Sequence, residues 1–222
     1  MHLFCLHHAG GTTASFAKWR FTNVAVTKLG YRGRDFASIP HAAAVLSESV
    51  KASPSPRLAL YGHSMGAALA YEIALRVQGS GRLQHVFLAA ARPPVPARGN
   101  GTGTRAIAFA AARSTALSER ARDVLLEDLA LLESYPGSEP AGQLAVPTTL
   151  FHGTDDDIVP ALESAQWAGW CAEPPRSVDI PGGHLFHRTS PKVMEVVQTT
   201  LTPSTQSVPA STGSLPAGGS RR

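Results

Sequence analysis

Arg57-Leu-Ala-Leu-Tyr-Gly-His-Ser-Met-Gly-Ala-Ala-Leu-Ala-Tyr-Glu72 constrains the fold more than any other stretch of this 222-residue chain. Leu58, Ala59, Leu60 and Tyr61 form a short apolar run, as a buried strand requires, and Met65 to Val77 is rich in Ala and Leu without Pro, as a helix prefers. Between them lies Gly62-His-Ser-Met-Gly66, a G-x-S-x-G pattern. On a sharp strand-to-helix turn this pattern holds the serine in a strained conformation with its Oγ exposed. Glycines are needed on either side because a Cβ there would crowd the neighbouring strand and helix backbones. Ser64 is the candidate nucleophile. The competing reading is a Gly-rich turn with an idle serine, so the remaining chain must supply what a nucleophile needs.

Length suits one α/β domain that buries its core without covalent staples. Two cysteines, Cys5 and Cys171, make no disulfide framework. No apolar stretch approaches the roughly 18 residues of a membrane span, and the first residues lack the charged and apolar regions of a signal peptide. A cytoplasmic monomer without membrane attachment is expected. Lys and Arg outnumber Asp and Glu by 20 to 16, a formal net charge of +4. The basic residues are dispersed, which argues against nucleic-acid binding. The excess would suit an acidic partner or an anionic substrate, but a high-Arg composition explains it equally well.

In chain order, Leu3-Phe-Cys-Leu6 reads as a strand that runs into His7-His-Ala-Gly-Gly-Thr-Thr13. Gly10 and Gly11 let that loop turn so that a main-chain N–H faces a substrate carbonyl. The Ala9 N–H is the expected donor, paired with the N–H of Met65. Two aimed donors matter because losing one typically costs about 3 kcal/mol of transition-state stabilisation. His7 and His8 could suggest a metal pair, but neighbouring side chains at a strand end diverge and no acidic or Cys ligand lies nearby. No metal is expected. A short helix near Ser15–Trp19, a strand near Val24–Val26, a loop at Gly30–Asp35 and a helix at His41–Lys51 precede the central stretch. His85–Ala91 is a further strand. Gly99-Asn-Gly-Thr-Gly103 lacks the Lys-Ser/Thr pair of a phosphate loop. Helical patterns at Thr104–Ala112 and Ser118–Ser134 form an insertion, about residues 93–140, that would lie over Ser64.

Pro147–Gly153 reads as a strand that ends at Asp155-Asp-Asp157. Serine catalysis needs a carboxylate that fixes the tautomer of its base, and any of the three could supply it. After a helix at Ala161–Ala172 and a strand at Ser177–Ile180 comes Pro181-Gly-Gly-His184-Leu-Phe-His187. A histidine following a Gly-Gly turn can reach the Ser64 Oγ, so His184 is the candidate base, with His187 as the reserve. The order Ser, Asp, His is that of α/β-hydrolases. The expected architecture is therefore the α/β-hydrolase fold: a mostly parallel sheet flanked by helices, with a shortened helical lid. Its domain is placed at residues 1–201, closed by a helix at Pro191–Leu201. Residues 202–222 are dominated by Ser, Thr, Pro and Gly and are expected to be disordered.

The chain resembles the type II thioesterases, stand-alone editing enzymes of polyketide and nonribosomal peptide synthesis. The resemblance is carried by Leu3-Phe-Cys-Leu-His-His-Ala-Gly-Gly11, close to the family's F-C-F-P-H-A-G-G; by Arg32-Gly-Arg34, Gly62-His-Ser-Met-Gly66 and Gly182-Gly-His184; and by Gly153-x-x-Asp156, which selects Asp156 from the acidic run. It implies hydrolysis of acyl thioesters on phosphopantetheine arms, with acyl or peptidyl carrier proteins as partners and no cofactor of the enzyme's own. The chain departs from the family in having His7 and Tyr31 where Pro is usual, in opening directly on the first strand, and in a shorter lid segment between Arg92 and Tyr135. A general carboxylester hydrolase and a non-catalytic binding protein of the same fold are the alternatives.

Overall fold

The computed structural model describes residues 1–94, 117–135 and 142–202. The first expected lid helix and the tail from residue 203 lie outside the described residues. Six strands form one fully parallel sheet: β1 (His2–Leu6), β2 (Ala25–Leu29), β3 (Leu58–His63), β4 (Leu83–Ala89), β5 (Thr148–Gly153) and β6 (Arg176–Ile180), in spatial order β2-β1-β3-β4-β5-β6. The chain builds outward from β1 to β2, then returns to β1's other side with β3. The order reverses between β1 and β3, and parallel sheets bind their ligands at the strand C-termini beside such a reversal.

Both faces of the sheet are buried, which is why its central strands read as unbroken apolar runs rather than alternating ones. Successive side chains still point to opposite faces. Phe4, Leu6, Leu58 and Leu60 pack under α1 (Ile39–Lys51) and α2 (Met65–Val77). Leu3, Cys5, Ala59 and Tyr61 pack with Phe16, Trp19 and the last helix, Pro191–Leu201. Helix α2 is buried around most of its circumference, so its Ala-rich composition reflects enclosure by neighbours. One neighbour is α3 (Glu119–Glu133), the described part of the expected lid insertion, which begins at the N-cap Ser118.

Local expectations shift in several places, with β4 at Leu83–Ala89 rather than His85–Ala91 and α1 starting at Ile39 rather than His41. The turn after the loop that follows β1 is a 3-10 segment, Thr13–Phe16, started by the Thr12 hydroxyl accepting from the Ala14 N–H, rather than a helix at Ser15–Trp19. Strand β2 runs on to Leu29, pairing residue for residue with β1. The helix expected at Ala161–Ala172 is one α-turn, α4 (Ala161–Ser164), followed by a 3-10 run, Ala165–Trp170. Three residues per turn put Trp167 and Trp170 on one face, and both rings meet Tyr71 of α2. No helix among the described residues is long and apolar enough to cross a membrane.

Candidate active site

Ser64 stands between β3 and α2 with φ 55° and ψ −121°, a left-handed conformation costly for any residue with a Cβ. The flanking glycines make the turn possible. A side chain on Gly62 would overlap the Gly66 carbonyl and Ala67 Cα, and one on Gly66 would overlap the Leu6 and His7 carbonyls. The second clash shows that Gly66 serves the approach of α2 to the end of β1. This brings the serine beside the loop that follows β1.

The structure brings together the three sequence-selected side chains from three strand ends. His184 Nε2 lies 3.0 Å from Ser64 Oγ. Its Nδ1 lies 2.9 Å and 3.1 Å from the two carboxylate oxygens of Asp156. A carboxylate only accepts, so Nδ1 carries the proton and the Nε2 lone pair faces the serine hydroxyl. Asp156 Oδ1 also accepts from the N–H groups of Ile158 and Val159, at 2.9 Å and 3.0 Å. Burial alone would push the Asp156 carboxyl up. The His184 ring and the two N–H donors outweigh burial and hold it below the ordinary value. Asp155 and Asp157 remain in the solvent-facing turn.

Met65 opens α2, where the first N–H groups have no partner within the helix. In the loop after β1, the His8 carbonyl accepts from Gly11 N–H at 3.0 Å and from His7 Nδ1 at 2.9 Å, while Gly10 N–H donates to Asp128 of α3 at 2.7 Å. The Ala9 N–H takes no partner among the described residues. His7 and Tyr31, both of which replace a family proline, stack with ring centroids 4.0 Å apart, and the Tyr31 hydroxyl donates to the His7 carbonyl at 2.6 Å. The two departures thus form one contact that braces the loop.

One contact has no signature in the sequence. His63 Nε2 donates to the main-chain carbonyl of His184 at 2.6 Å, and its Nδ1 faces the Tyr61 hydroxyl at 3.2 Å. The elbow therefore grips His184 twice, by its backbone through His63 and by its ring through Ser64. His187, the reserve base, is packed against the His63 ring at a centroid distance of 3.8 Å and is buried with no polar partner for either nitrogen among the described residues. His8 points toward His187, while His7 turns away onto Tyr31. Among the described residues, no group of three or more His, Cys, Asp or Glu is arranged to hold a metal ion.

These buried rings make stability depend on pH. Burial, then the charge of neighbouring residues, lowers His8 from 6.5 to about 4 and His187 from 6.5 to about 2, and lowers His63 well below 6.5. Between 6.5 and those folded values the unfolded chain binds more protons, so stability is complete above pH 6.5 and declines as pH falls below it. Each such ring adds a slope of up to about 1.4 kcal/mol per pH unit. The urea midpoint is expected to fall from pH 7 to 6 to 5, and His187→Phe should flatten that fall. An unaltered slope in the variant would show that His187 titrates normally in the fold.

Comparison with known proteins places this geometry in a family. Residues 1–201 match the thioesterase domain. Thioesterase PikA5 of Streptomyces venezuelae is 30% identical over 213 residues, covering 84% of this chain and 75% of that protein. A probable cadicidin biosynthesis thioesterase of Streptomyces griseus is 27% identical over 84% of this chain, and the chain spans only 58% of that relative's length. Among solved structures, RedJ, a thioesterase from the prodiginine biosynthetic pathway of Streptomyces coelicolor, superposes with a TM-score of 0.74 at 26% identity, covering 89% of this chain and 84% of RedJ. The Ser-His-Asp chain therefore lies at the strand ends of an α/β-hydrolase sheet, and the protein belongs to the thioesterase domain family.

Proposed function

We propose that the protein is a serine thioesterase that removes acyl groups from the phosphopantetheine arms of acyl or peptidyl carrier proteins, clearing aberrant units from polyketide or nonribosomal peptide synthases. The observation that carries this reading is the continuous chain Ser64 Oγ, His184 ring, Asp156 carboxylate in a thioesterase-family chain. Ser64 attacks the thioester carbonyl as its proton passes to His184 Nε2. The Met65 and Ala9 N–H groups receive the oxyanion. The carbon–sulfur bond then breaks, and the leaving sulfur takes the proton from His184. Water, deprotonated by His184, attacks the acyl-enzyme, and Ser64 leaves with the proton restored. Asp156 stays ionised throughout, which agrees with its depressed pKa. The phosphopantetheine belongs to the partner, and the reaction calls on no cofactor of the enzyme's own. In this reading the enzyme works as a cytoplasmic monomer.

The test is a matched pair: the propionyl thioester of N-acetylcysteamine and its oxyester analogue. The expected kcat/KM favours the thioester by about 100-fold, equivalent to about 2.7 kcal/mol of barrier. Parity, or preference for the oxyester, would assign the site to a general carboxylester hydrolase.

A further inference from the structure

Two peptide units flank Ala9, and both are tied by their outward groups. The His8 carbonyl is held by Gly11 N–H at 3.0 Å and by His7 Nδ1 at 2.9 Å. A trans peptide is planar with its C=O and N–H on opposite sides, so anchoring that oxygen turns the Ala9 N–H the other way. The second unit is fixed by the Gly10 N–H, which donates to Asp128 Oδ2 at 2.7 Å. Gly10 itself lies at φ 70°, with Leu125 at 3.1 Å from the place a Cβ would take. Both Asp128 and Leu125 belong to α3.

That helix is lightly seated. Leu129 is its only fully buried residue, and its first two turns expose Glu119, Arg120 and Asp123. Beyond its C-terminal end, the Tyr135 hydroxyl donates to Glu72 of α2 at 2.5 Å. The segment thus spans from the helix that presents Met65 to the loop that presents Ala9. A half-buried carboxylate on a lightly seated helix is an unusual choice for bracing a backbone unit next to the reaction centre. Burial raises the Asp128 carboxyl, and the Gly10 N–H and the Arg32 charge work against that rise.

We propose that Asp128 is a positioning residue for the oxyanion site: through its bond to Gly10, helix α3 sets the aim of the Ala9 N–H, so the hole is fully formed only while α3 rests on the loop. The assignment depends on the reading of Ala9 as a donor under the proposed function. It makes the hole responsive to whatever displaces α3, including the arriving acyl-carrier substrate.

The experiment compares wild type, Asp128→Ala and Asp128→Asn in the full chain, with urea unfolding to establish that all three fold. Asparagine keeps an oxygen that can accept from Gly10, whereas alanine does not. Two readouts are taken: kcat and KM on the propionyl thioester, and the second-order rate of Ser64 phosphonylation by a fluorophosphonate, whose P=O oxygen occupies the oxyanion site. Asp128→Ala is expected to lose about 10- to 100-fold in kcat with KM changed less than about twofold, and to slow phosphonylation in parallel. Asp128→Asn should recover to within about threefold of wild type. The inference is overturned if the alanine variant matches wild type in both readouts, if asparagine loses as much as alanine, or if the loss appears in KM. Wild type that is phosphonylated but leaves the thioester intact would defeat the proposed activity, and the phosphonylation rates alone would then decide the role of Asp128.

Discussion

Ser64→Ala is expected to lower thioester hydrolysis by at least about 10⁴-fold while leaving the fold intact, because it removes the nucleophile and little else. Among the described residues the Ser64 Oγ bonds to His184 Nε2 alone, and it does not cap α2. Alanine carries the same Cβ, so the strained φ of 55° is no harder to hold than before. The flanking glycines behave in the opposite way: a side chain at Gly66 would drive into the Leu6 and His7 carbonyls and separate α2 from β1. Steady-state turnover paired with thermal unfolding checks the expectation. Retention of even a tenth of wild-type activity in a well-folded Ser64→Ala variant would remove Ser64 from the chemistry.

Asp156→Asn should be nearly as damaging, at about 10⁴-fold in kcat, for a reason that lies in the hydrogen-bond pattern of this site. Asp156 Oδ1 already accepts from two main-chain N–H groups, those of Ile158 and Val159. An asparagine must leave its oxygen there, since its NH₂ group would meet two donors. The NH₂ is then forced into the place of Oδ2, opposite His184 Nδ1, which is 2.9 Å away in the parent. That donor favours the ring tautomer with its proton on Nε2, since Nδ1 keeps only the longer 3.1 Å approach to the oxygen already shared by two N–H groups, and an Nε2–H pointing at Ser64 cannot accept the hydroxyl proton. Kinetics in parallel with circular dichroism measure the effect. Full activity in Asp156→Asn would mean that Asp155 or Asp157 had taken over, although both face solvent in the parent.

The central strand-turn-helix was legible because it demands glycine at two positions and alanine along a largely enclosed helix, and few other folds impose all of that at once. Strand ends at the right place in the order pointed to His184 and to the run Asp155–Asp157, and only the resemblance through Gly153-x-x-Asp156 singled out Asp156. The helix Pro191–Leu201 matches its sequence reading residue for residue, since its amphipathic spacing and N-terminal proline leave little choice. Less was readable where tertiary contacts override local pattern. Trp167 and Trp170 wind the chain into a 3-10 segment because both must reach Tyr71, which lies nearly a hundred residues earlier. The grip of His63 on the His184 backbone and of Asp128 on Gly10 join residues 121 and 118 positions apart, and neither leaves a periodic or motif-like trace. His7 and Tyr31 looked like two separate departures from a family pattern. In three dimensions they are one stacked pair that secures the loop bearing Ala9.

The central claim, that Ser64 carries the acyl group between thioester and water, is tested most directly by trapping that intermediate. The protein is mixed with the propionyl thioester, quenched in acid during turnover, digested with trypsin and analysed by mass spectrometry. The added propionyl mass is expected on the peptide from Leu58 to Arg76, localised to Ser64 by fragmentation, and absent when Ser64 is alanine. Ongoing hydrolysis with the adduct on another residue, or an adduct on this peptide that survives in Ser64→Ala, would contradict the account.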